Sequence, residues 1–214
     1  MKPFVRLTAT TAALPIDNVE TDQLIPARMC VRPAGASYAD ALLAPWRYLP
    51  DGAENPEFVL NRAPYRTAQI LVTGANFGYG SSREHAAWAV RDFGIRAIVA
   101  SSFATIFKAN CVRNGVLPVE LEPEQLADLH RELGDGANEV TIDLKHQELT
   151  APSGAVHRFQ VAQFDRRLLL SGRDPISFVL EHEPEIAAFQ RSDRDRRPWI
   201  YLAPRPAISD SGRS

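Results

Sequence analysis

The stretch QILVTGANFGYGSSREHAAWAVRDFGIRAIVA, residues 69–100, is the part of the sequence that decides the fold. Its apolar run at 69–73 predicts a buried strand, which a glycine-rich turn follows. Apolar residues then recur at helical spacing over 82–93, and Gly94 is a natural residue to end that helix. A second apolar run at 95–100 predicts another strand. Strand, helix and strand in this order indicate a layered α/β fold.

The same alternation continues to residue 121. Residues 102–110 predict a second helix and 116–121 a third strand, so that any parallel strands would be joined by right-handed crossovers. Further elements are predicted downstream, as one short helix, a three-stranded meander and two more helices: 124–133, then 139–144, 147–150 and 158–161, then 163–170 and 177–190. The segment before residue 69 is interrupted by turn dipeptides and predicts loops and short elements.

The composition is that of an ordinary globular protein of 214 residues, with 45% hydrophobic and 23% charged residues. A net charge of −2 gives no electrostatic reason to expect nucleic acid or an anionic membrane as a partner. No segment approaches the roughly 20 apolar residues that a membrane span needs, and the first residues lack a signal-peptide core. We therefore expect a cytoplasmic protein that binds neither nucleic acid nor membrane.

The chain has two cysteines, Cys30 and Cys111, far apart in the sequence. They show neither the C-x-x-C pattern nor the Cys/His spacing of a metal site. We therefore expect no zinc or iron–sulfur centre held by this chain alone. Both residues are expected to be reduced thiols that pack as small hydrophobic side chains.

The composition changes at residue 191. Residues 1–190 are predicted to form one domain, whereas 191–214 are rich in Arg, Pro and Ser and predict a mobile or docking tail. Trp199, Ile200 and Tyr201 are candidates to anchor this tail on a partner. The alternative is a loosely packed terminus.

The sequence GYGSSREH that follows the first predicted strand carries the clearest chemical signal. Gly78 and Gly80 allow a sharp turn, and Ser81 stands three residues before Glu84 in the spacing of a capping box. We therefore expect Ser81 at the helix N-cap, where unpaired N–H groups and the helix dipole favour a carboxylate or oxyanion. Arg83 adds a two-pronged donor that matches a carboxylate.

Ser81 is also a candidate base. A serine hydroxyl holds its proton tightly at neutral pH, and donors or positive charge directed at its oxygen lower the cost of losing that proton. The alternative is that Ser81 only caps a helix while Arg83 pairs with a surface acid. His85 is more readily explained as a packed or solvent-touching ring than as an acid–base group.

A second polar stretch, DNVETDQLIPA at 17–27, predicts on its own only a turn before a short strand, and its acids could equally cap a loop. Together with NFGYGSSREHAAWA at 76–89, it resembles the small subunits of 3-isopropylmalate dehydratases, which are similar to the mobile C-terminal domain of aconitase. The likeness covers about residues 3–190. It continues in the family's order through WRYL at 46–49, NPEFVLN at 55–61, DFGIRAIVASSFATIF at 92–107 and NGVLPV at 114–119.

The resemblance implies a swivelling β/β/α domain, as in the C-terminal domain of aconitase. This domain would close over a larger subunit that supplies three cysteines and a 4Fe–4S cluster. It implies a hydro-lyase, active only with that large subunit, that interconverts 2-isopropylmalate and 3-isopropylmalate in leucine biosynthesis. In that chemistry the cluster iron acts as a Lewis acid on the departing hydroxyl of a small dicarboxylate.

The resemblance also implies roles for individual residues. By motif position, Ser81 corresponds to the base that removes a proton from carbon, and Ser82 and Arg83 to the groups that hold a substrate carboxylate. Asp22 of the TDQ motif corresponds to an active-site acid that orients these groups.

The same motif positions make Gly80 and Thr21 further candidate substrate-binding residues.

Two departures from the family pattern concern the substrate. Tyr79 stands where relatives usually have Cys, and 33–39 read PAGASYA where relatives commonly carry a basic residue before a TGFG-like turn. The loop at 27–39 helps to read the substrate side chain in the family. A hydratase for another 2-alkylmalate, of the citraconate, dimethylmaleate or homoaconitate type, is therefore an alternative. A non-catalytic binding module is a second alternative.

Overall fold

The computed structural model describes residues 1–134, 136 and 139–201, and the unit Met1–Asp174 contains a seven-stranded mixed sheet with helices packed on it. The strands are β1 Arg6–Leu14, β2 Ile70–Thr73, β3 Ala97–Ala100, β4 Leu117–Glu120, β5 Glu139–Asp143, β6 Glu148–Thr150 and β7 Val156–Arg158. The helices are α1 Thr21–Leu24, α2 Ala44–Arg47, α3 Glu84–Phe93, α4 Thr105–Arg113, α5 Pro123–Gly134, α6 Gln163–Ser171, α7 Pro175–Leu180 and α8 Glu183–Arg196. The strand order is β4-β3-β2-β1-β5-β6-β7.

Strand β1 joins the two halves of the sheet. On one side β2, β3 and β4 all run parallel to it, with Thr11 of β1 opposite Ile70 of β2. On the other side β5 runs antiparallel, with Thr8 opposite Thr141, and β6 and β7 continue the meander. The segment before residue 69 does consist mostly of loops and short elements, as predicted, but it also contains β1, a strand of nine residues that was not predicted. The alanines and threonines of β1 are small, and they give a weaker strand signal than the Val and Ile of β2.

The α/β core predicted from the alternation over 69–121 is confirmed. Every residue of β2 and β3 is buried, as expected for parallel strands that are covered on both faces. Helix α3 ends at the predicted residue, because Gly94 takes the left-handed φ of 111° and its N–H caps the last turn. Helices α3 and α4 begin two or three residues later than predicted, and the last meander strand lies two residues earlier.

Residue contacts divide the chain into two units, Met1–Asp174 and Pro175–Ser214. The first unit contains the whole sheet and helices α1 to α6. In the second, α7 and α8 replace the single helix predicted at 177–190, and Pro184 lies in the first turn of α8, where proline is well tolerated. Helix α8 reaches Arg196, so the predicted tail begins as helix. The last part of that tail, 202–214, lies outside the described residues.

None of the helices in the described part of the chain is long and apolar enough to cross a membrane. The expected cytoplasmic location and the expected lack of nucleic-acid binding stay predictions.

Candidate functional site

Two loops run side by side beyond the carboxyl ends of β1 and β2. The N–H of Gly78 donates to the carbonyl of Val19 at 2.7 Å, and the N–H of Thr21 donates to the carbonyl of Tyr79 at 2.8 Å. These bonds bring together the DNVETDQLIPA and GYGSSREH stretches, which are separated in the sequence by about fifty residues. In open α/β sheets, this end of the parallel strands is where ligands bind.

Glycine is required at two positions of this turn. Gly78 has φ 77°, and a Cβ there would lie 2.3 Å from Cγ of the buried Phe107 ring. Gly80 has φ 99°, and a Cβ there would lie 3.3 Å from Oγ1 of Thr21. Both residues take the left-handed conformation that other residues adopt at a cost. The turn therefore packs directly on the core below it.

Replacing Gly78 by alanine is expected to lower the free energy of unfolding by about 2–4 kcal/mol, from backbone strain and overpacking against Phe107 together. Gly52 is the matched control, because its φ is 86° and a Cβ there would meet nothing within 4 Å. Gly52→Ala should cost only the strain, about 1–2 kcal/mol. Urea unfolding of both variants measures the difference, and equal losses would contradict the close packing described here.

The start of α3 differs from the prediction. The predicted capping box between Ser81 and Glu84 is wrong, because Arg83 is the N-cap and α3 begins at Glu84. The carbonyl of Ser81 instead accepts the N–H of Arg83 at 2.8 Å, which closes a tight turn before the helix. The carboxylate of Glu84 accepts a hydrogen bond from Nδ2 of Asn114 at 3.0 Å and does not reach back to the turn.

The turn nevertheless keeps its anion-binding character. The backbone N–H groups of residues 80–82, 84 and 85 donate no hydrogen bond to any residue that the structure describes. Unpaired N–H groups at the start of a helix lie at the positive end of its dipole. A carboxylate or oxyanion placed at this turn would therefore meet several free donors.

Asp22 and Arg83 form a two-pronged ion pair across the two loops. Nη1 of Arg83 donates to Oδ1 of Asp22, and Nη2 donates to Oδ2 at 3.3 Å. The hydrogen bond from Arg83 is the main cause that holds the pKa of the Asp22 carboxyl below its usual value, although partial burial opposes it. Nε of Arg83 has no partner among the described residues, so the guanidinium keeps donors for a second carboxylate.

The Asp22 carboxyl should titrate below the ordinary aspartate pKa of about 3.9 in the wild-type chain. Because its folded pKa is lowered, the pair stabilises the fold above that ordinary value and loses this effect as the pH falls through the folded pKa. An NMR titration of the carboxyl carbon measures this, and Arg83→Gln should raise the midpoint. The exposed Arg62 provides the control, and a midpoint that Arg62→Gln moved equally would contradict the pairing.

The remaining candidate residues differ in exposure. Ser81 and Ser82 are exposed, and their hydroxyls have no hydrogen-bond partner within the described part of the chain. Thr21 is buried, and its Oγ1 lies beneath Gly80 without a partner among those residues. The predicted substrate contacts of these residues stay predictions.

Comparison with known proteins identifies the family. Residues 1–124 match the family model of the aconitase C-terminal domain. The 3-isopropylmalate dehydratase small subunit of Agrobacterium fabrum is 44% identical over 93% of this chain, and that of Paramagnetospirillum magneticum is 46% identical over 94%. Each of those subunits is covered over its full length. The chain belongs to this family of small subunits.

A solved structure shows the same fold. A crystal structure of 3-isopropylmalate dehydratase from Methanocaldococcus jannaschii superposes with a TM-score of 0.63 at 22% sequence identity. The match covers 86% of this chain and 99% of that one. The predicted α/β fold of the aconitase C-terminal domain is therefore confirmed.

The loop in which this chain departs from the small-subunit pattern packs against α3. The ring of Tyr38 lies 5.6 Å from the rings of both His85 and Trp88. The backbone N–H of Tyr38 donates to Oδ2 of Asp92 at 2.9 Å. A cleft of ≈ 730 Å³ separates the rest of the loop from α3. His85 is thus a packed ring, as its sequence context indicates. The packing of Tyr38 had no local signal in the sequence, because its partners His85, Trp88 and Asp92 are about fifty residues away.

Arg32 fixes the same loop from its other end. Its guanidinium pairs with Asp40 at 2.6 Å, donates to the carbonyl of Ser37 at 2.5 Å and lies 5.1 Å over the ring of Tyr38. Arg32 stands directly before the 33–39 stretch, and its charge is already paired with Asp40. Tyr79 is half-buried and does not line this cleft.

The described residues of this small subunit do not fit an iron–sulfur cluster. Within the described residues, no group of three or more His, Cys, Asp or Glu side chains lies close enough to hold a metal ion. Cys111 is fully buried among apolar residues, and burial raises the pKa of its thiol, so the metal-binding thiolate is disfavoured. Cys30 is half-buried and forms no disulfide, and its Sγ donates to the carbonyl of Pro26 at 3.8 Å.

Proposed function

We propose that this chain is the small subunit of a 3-isopropylmalate dehydratase, a hydro-lyase that interconverts 2-isopropylmalate and 3-isopropylmalate in leucine biosynthesis. The observation that carries the proposal is the 44–46% identity to subunits of that name over their full length. The aligned region includes both loops that meet at the candidate site. The geometry of those loops agrees with chemistry on a carboxylate substrate.

We propose further that the partner is a large subunit that carries a 4Fe–4S cluster. The supporting observation is that the relatives are named small subunits, a name that implies a large-subunit partner. When bound, the cluster would supply a Lewis acid for the departing hydroxyl. The substrate is a small dicarboxylate.

The residues of this chain would bind the substrate and move one proton. Arg83 donates to a substrate carboxylate with the nitrogens that Asp22 leaves free, and Ser82 adds a hydroxyl donor. Asp22 keeps the guanidinium in place. Ser81 takes the proton from the carbon next to that carboxylate, the hydroxyl leaves the neighbouring carbon, and a double bond forms. Rehydration with the opposite orientation gives the isomer.

The free N–H groups of the turn would support this proton transfer. Negative charge on the serine oxygen or on the substrate carboxylate is favoured where unpaired donors and a helix N-terminus converge. Gly80 and Thr21 act here through shape, since a side chain at Gly80 would crowd Oγ1 of Thr21. We also propose that Thr21 contacts the substrate directly.

A second candidate is the small subunit of a hydratase for another 2-alkylmalate, of the citraconate, dimethylmaleate or homoaconitate type. The observation that favours it is the loop beside α3, where Arg32 is paired and Tyr38 packs on His85. Tyr79 adds a phenol in the turn itself. The third reading, a non-catalytic binding module, rests on the same two departures.

Reconstitution separates these readings. The purified chain is mixed with the large subunit of the Agrobacterium fabrum enzyme, loaded anaerobically with iron and sulfide, and the unsaturated product is followed by ultraviolet absorbance. The proposal predicts the highest kcat/KM with 3-isopropylmalate. Faster turnover of citramalate, dimethylmalate or homocitrate would favour the second candidate. No turnover with several large subunits that bind the chain would favour the binding module.

A further inference from the structure

A second cleft lies at the amino ends of the parallel strands, whereas the Ser81 turn lies at their carboxyl ends. Its walls include Gln69, Arg96 and Gly115, which come before β2, β3 and β4, whereas the Ser81 turn follows β2. Each of these strands has four residues, which corresponds to about 13 Å of length. The cleft has a volume of ≈ 590 Å³ and is separate from the candidate catalytic turn.

The cleft is lined by positive charge. Four basic side chains contribute to its walls: Lys2, Arg66, Arg91 and Arg96. No acidic side chain of the described residues lines it. The chain as a whole has a net charge of −2, so this concentration of one sign is local and does not follow from composition. A low-dielectric cleft of one charge sign attracts and concentrates ions of the other sign.

Two of the four charges are balanced by acids that lie outside the walls. Arg66 pairs with Glu54 at 2.6 Å, and Arg91 pairs with Asp92 at 2.8 Å. Arg96 has no carboxylate partner in the part of the chain that the structure describes. The cleft therefore keeps an excess of positive charge after the two ion pairs are counted.

Arg96 is held in place as a donor. Its guanidinium lies 5.4 Å over the ring of Phe4, and Nη2 donates to the carbonyls of Lys2 and Pro3 at 3.3 and 3.1 Å. Nη1 and Nε have no partner among the described residues. Burial lowers the pKa of the guanidinium. An anion in the cleft would accept hydrogen bonds from Nη1 and Nε, which the described residues leave free.

We propose that this cleft binds a small anion through a carboxylate or phosphate group, with Arg96 as the principal donor and Arg66 and Lys2 as further charges. The planar guanidinium fork matches both kinds of group. Ala68 and Phe93 form an apolar part of the wall that suits the alkyl chain of an organic acid. This inference stands apart from the proposed dehydratase activity.

Calorimetric titration of the full chain at low ionic strength tests the proposal with two probes, inorganic phosphate and the branched carboxylate isovalerate. Saturable binding of either is expected, and a preference for isovalerate would identify an organic acid as the ligand class. Arg96→Gln should weaken binding about tenfold or more, because a charged hydrogen bond is lost. Arg62→Gln, at an exposed arginine outside the cleft, should change nothing.

A second variant, with the opposite expected effect on anion binding, distinguishes a lost binding site from misfolding of Arg96→Gln. Glu54 lies outside the cleft and competes for Arg66, so Glu54→Gln should free that guanidinium and strengthen binding. Amide NMR locates the anion, and shifts at Gln69, Gly94 and Gly115 are expected. Shifts confined to residues 80–85 would place the anion at the catalytic turn and overturn the proposal. The proposal would also be overturned if neither phosphate nor isovalerate bound saturably.

Discussion

Replacing Ser81 by alanine is expected to lower kcat of the assembled enzyme by about 10²–10⁴-fold, the usual contribution of a positioned base. The change removes the hydroxyl that we propose takes the carbon-bound proton. That hydroxyl is exposed and has no partner among the described residues, so its loss leaves no buried group unpaired. Stability and assembly with the large subunit should therefore be unchanged. Steady-state kinetics and analytical size exclusion measure the two effects separately.

Ser82→Ala is the matched control for this experiment, because Ser82 is also exposed and adjacent in the turn. We expect it to raise KM and to lower kcat only slightly, since a lost ligand of the substrate carboxylate weakens binding in ground and transition states alike. A near-normal kcat for Ser81→Ala would show that another group is the base. A kcat for Ser82→Ala as low as that of Ser81→Ala would show that the two hydroxyls act as one unit.

Arg83→Lys is expected to raise KM by about tenfold to a hundredfold with a smaller effect on kcat. Lysine keeps the positive charge but presents a point charge in place of the planar fork. Arg83 donates to Asp22 with Nη1 and Nη2 and still has N–H groups free for the substrate carboxylate. The single ammonium group of lysine would have to donate to both carboxylates. Kinetics of the reconstituted enzyme measure the split between KM and kcat.

The controls for Arg83→Lys are Arg62→Lys, an exposed arginine outside the turn, and Asp22→Asn. Arg62→Lys should leave both constants unchanged. Asp22→Asn keeps the size of the side chain but weakens the hold on Arg83, so it should raise KM in the same direction. Unchanged KM in Arg83→Lys would mean that the guanidinium serves only to pair with Asp22.

Much of the fold could be predicted from local pattern. The apolar runs that became β2 and β3 and the glycine that ends α3 are local signals, and the structure confirms them. Strand β1 was missed because its Ala and Thr side chains have weak strand preference, and its place between β2 and β5 is fixed by long-range pairing. Helix α3 begins at Glu84 and not at the predicted residue 82, because the chain makes a left-handed turn at Gly80 just before it.

The site was harder to predict from residue spacing. Asp22 and Arg83 are 61 residues apart, and no periodicity relates them. Only the ordered motifs of the family placed both in one site. The capping box failed for a physical reason, since Asn114 takes the carboxylate of Glu84 and the Ser81 carbonyl closes a turn instead. The packing of Tyr38 on α3 also depends on long-range contacts, so it had no local signal.

The most direct test of the account is solvent isotope exchange in the assembled enzyme. 3-Isopropylmalate is incubated in deuterated buffer with the wild-type complex or with the Ser81→Ala complex, and deuterium on carbon is measured by mass spectrometry. If Ser81 takes the proton, the wild-type complex incorporates deuterium rapidly, whereas the Ser81→Ala complex binds the substrate without incorporating deuterium. Equal incorporation by the two complexes would contradict the claim that the exposed serine beside Asp22 and Arg83 moves the proton.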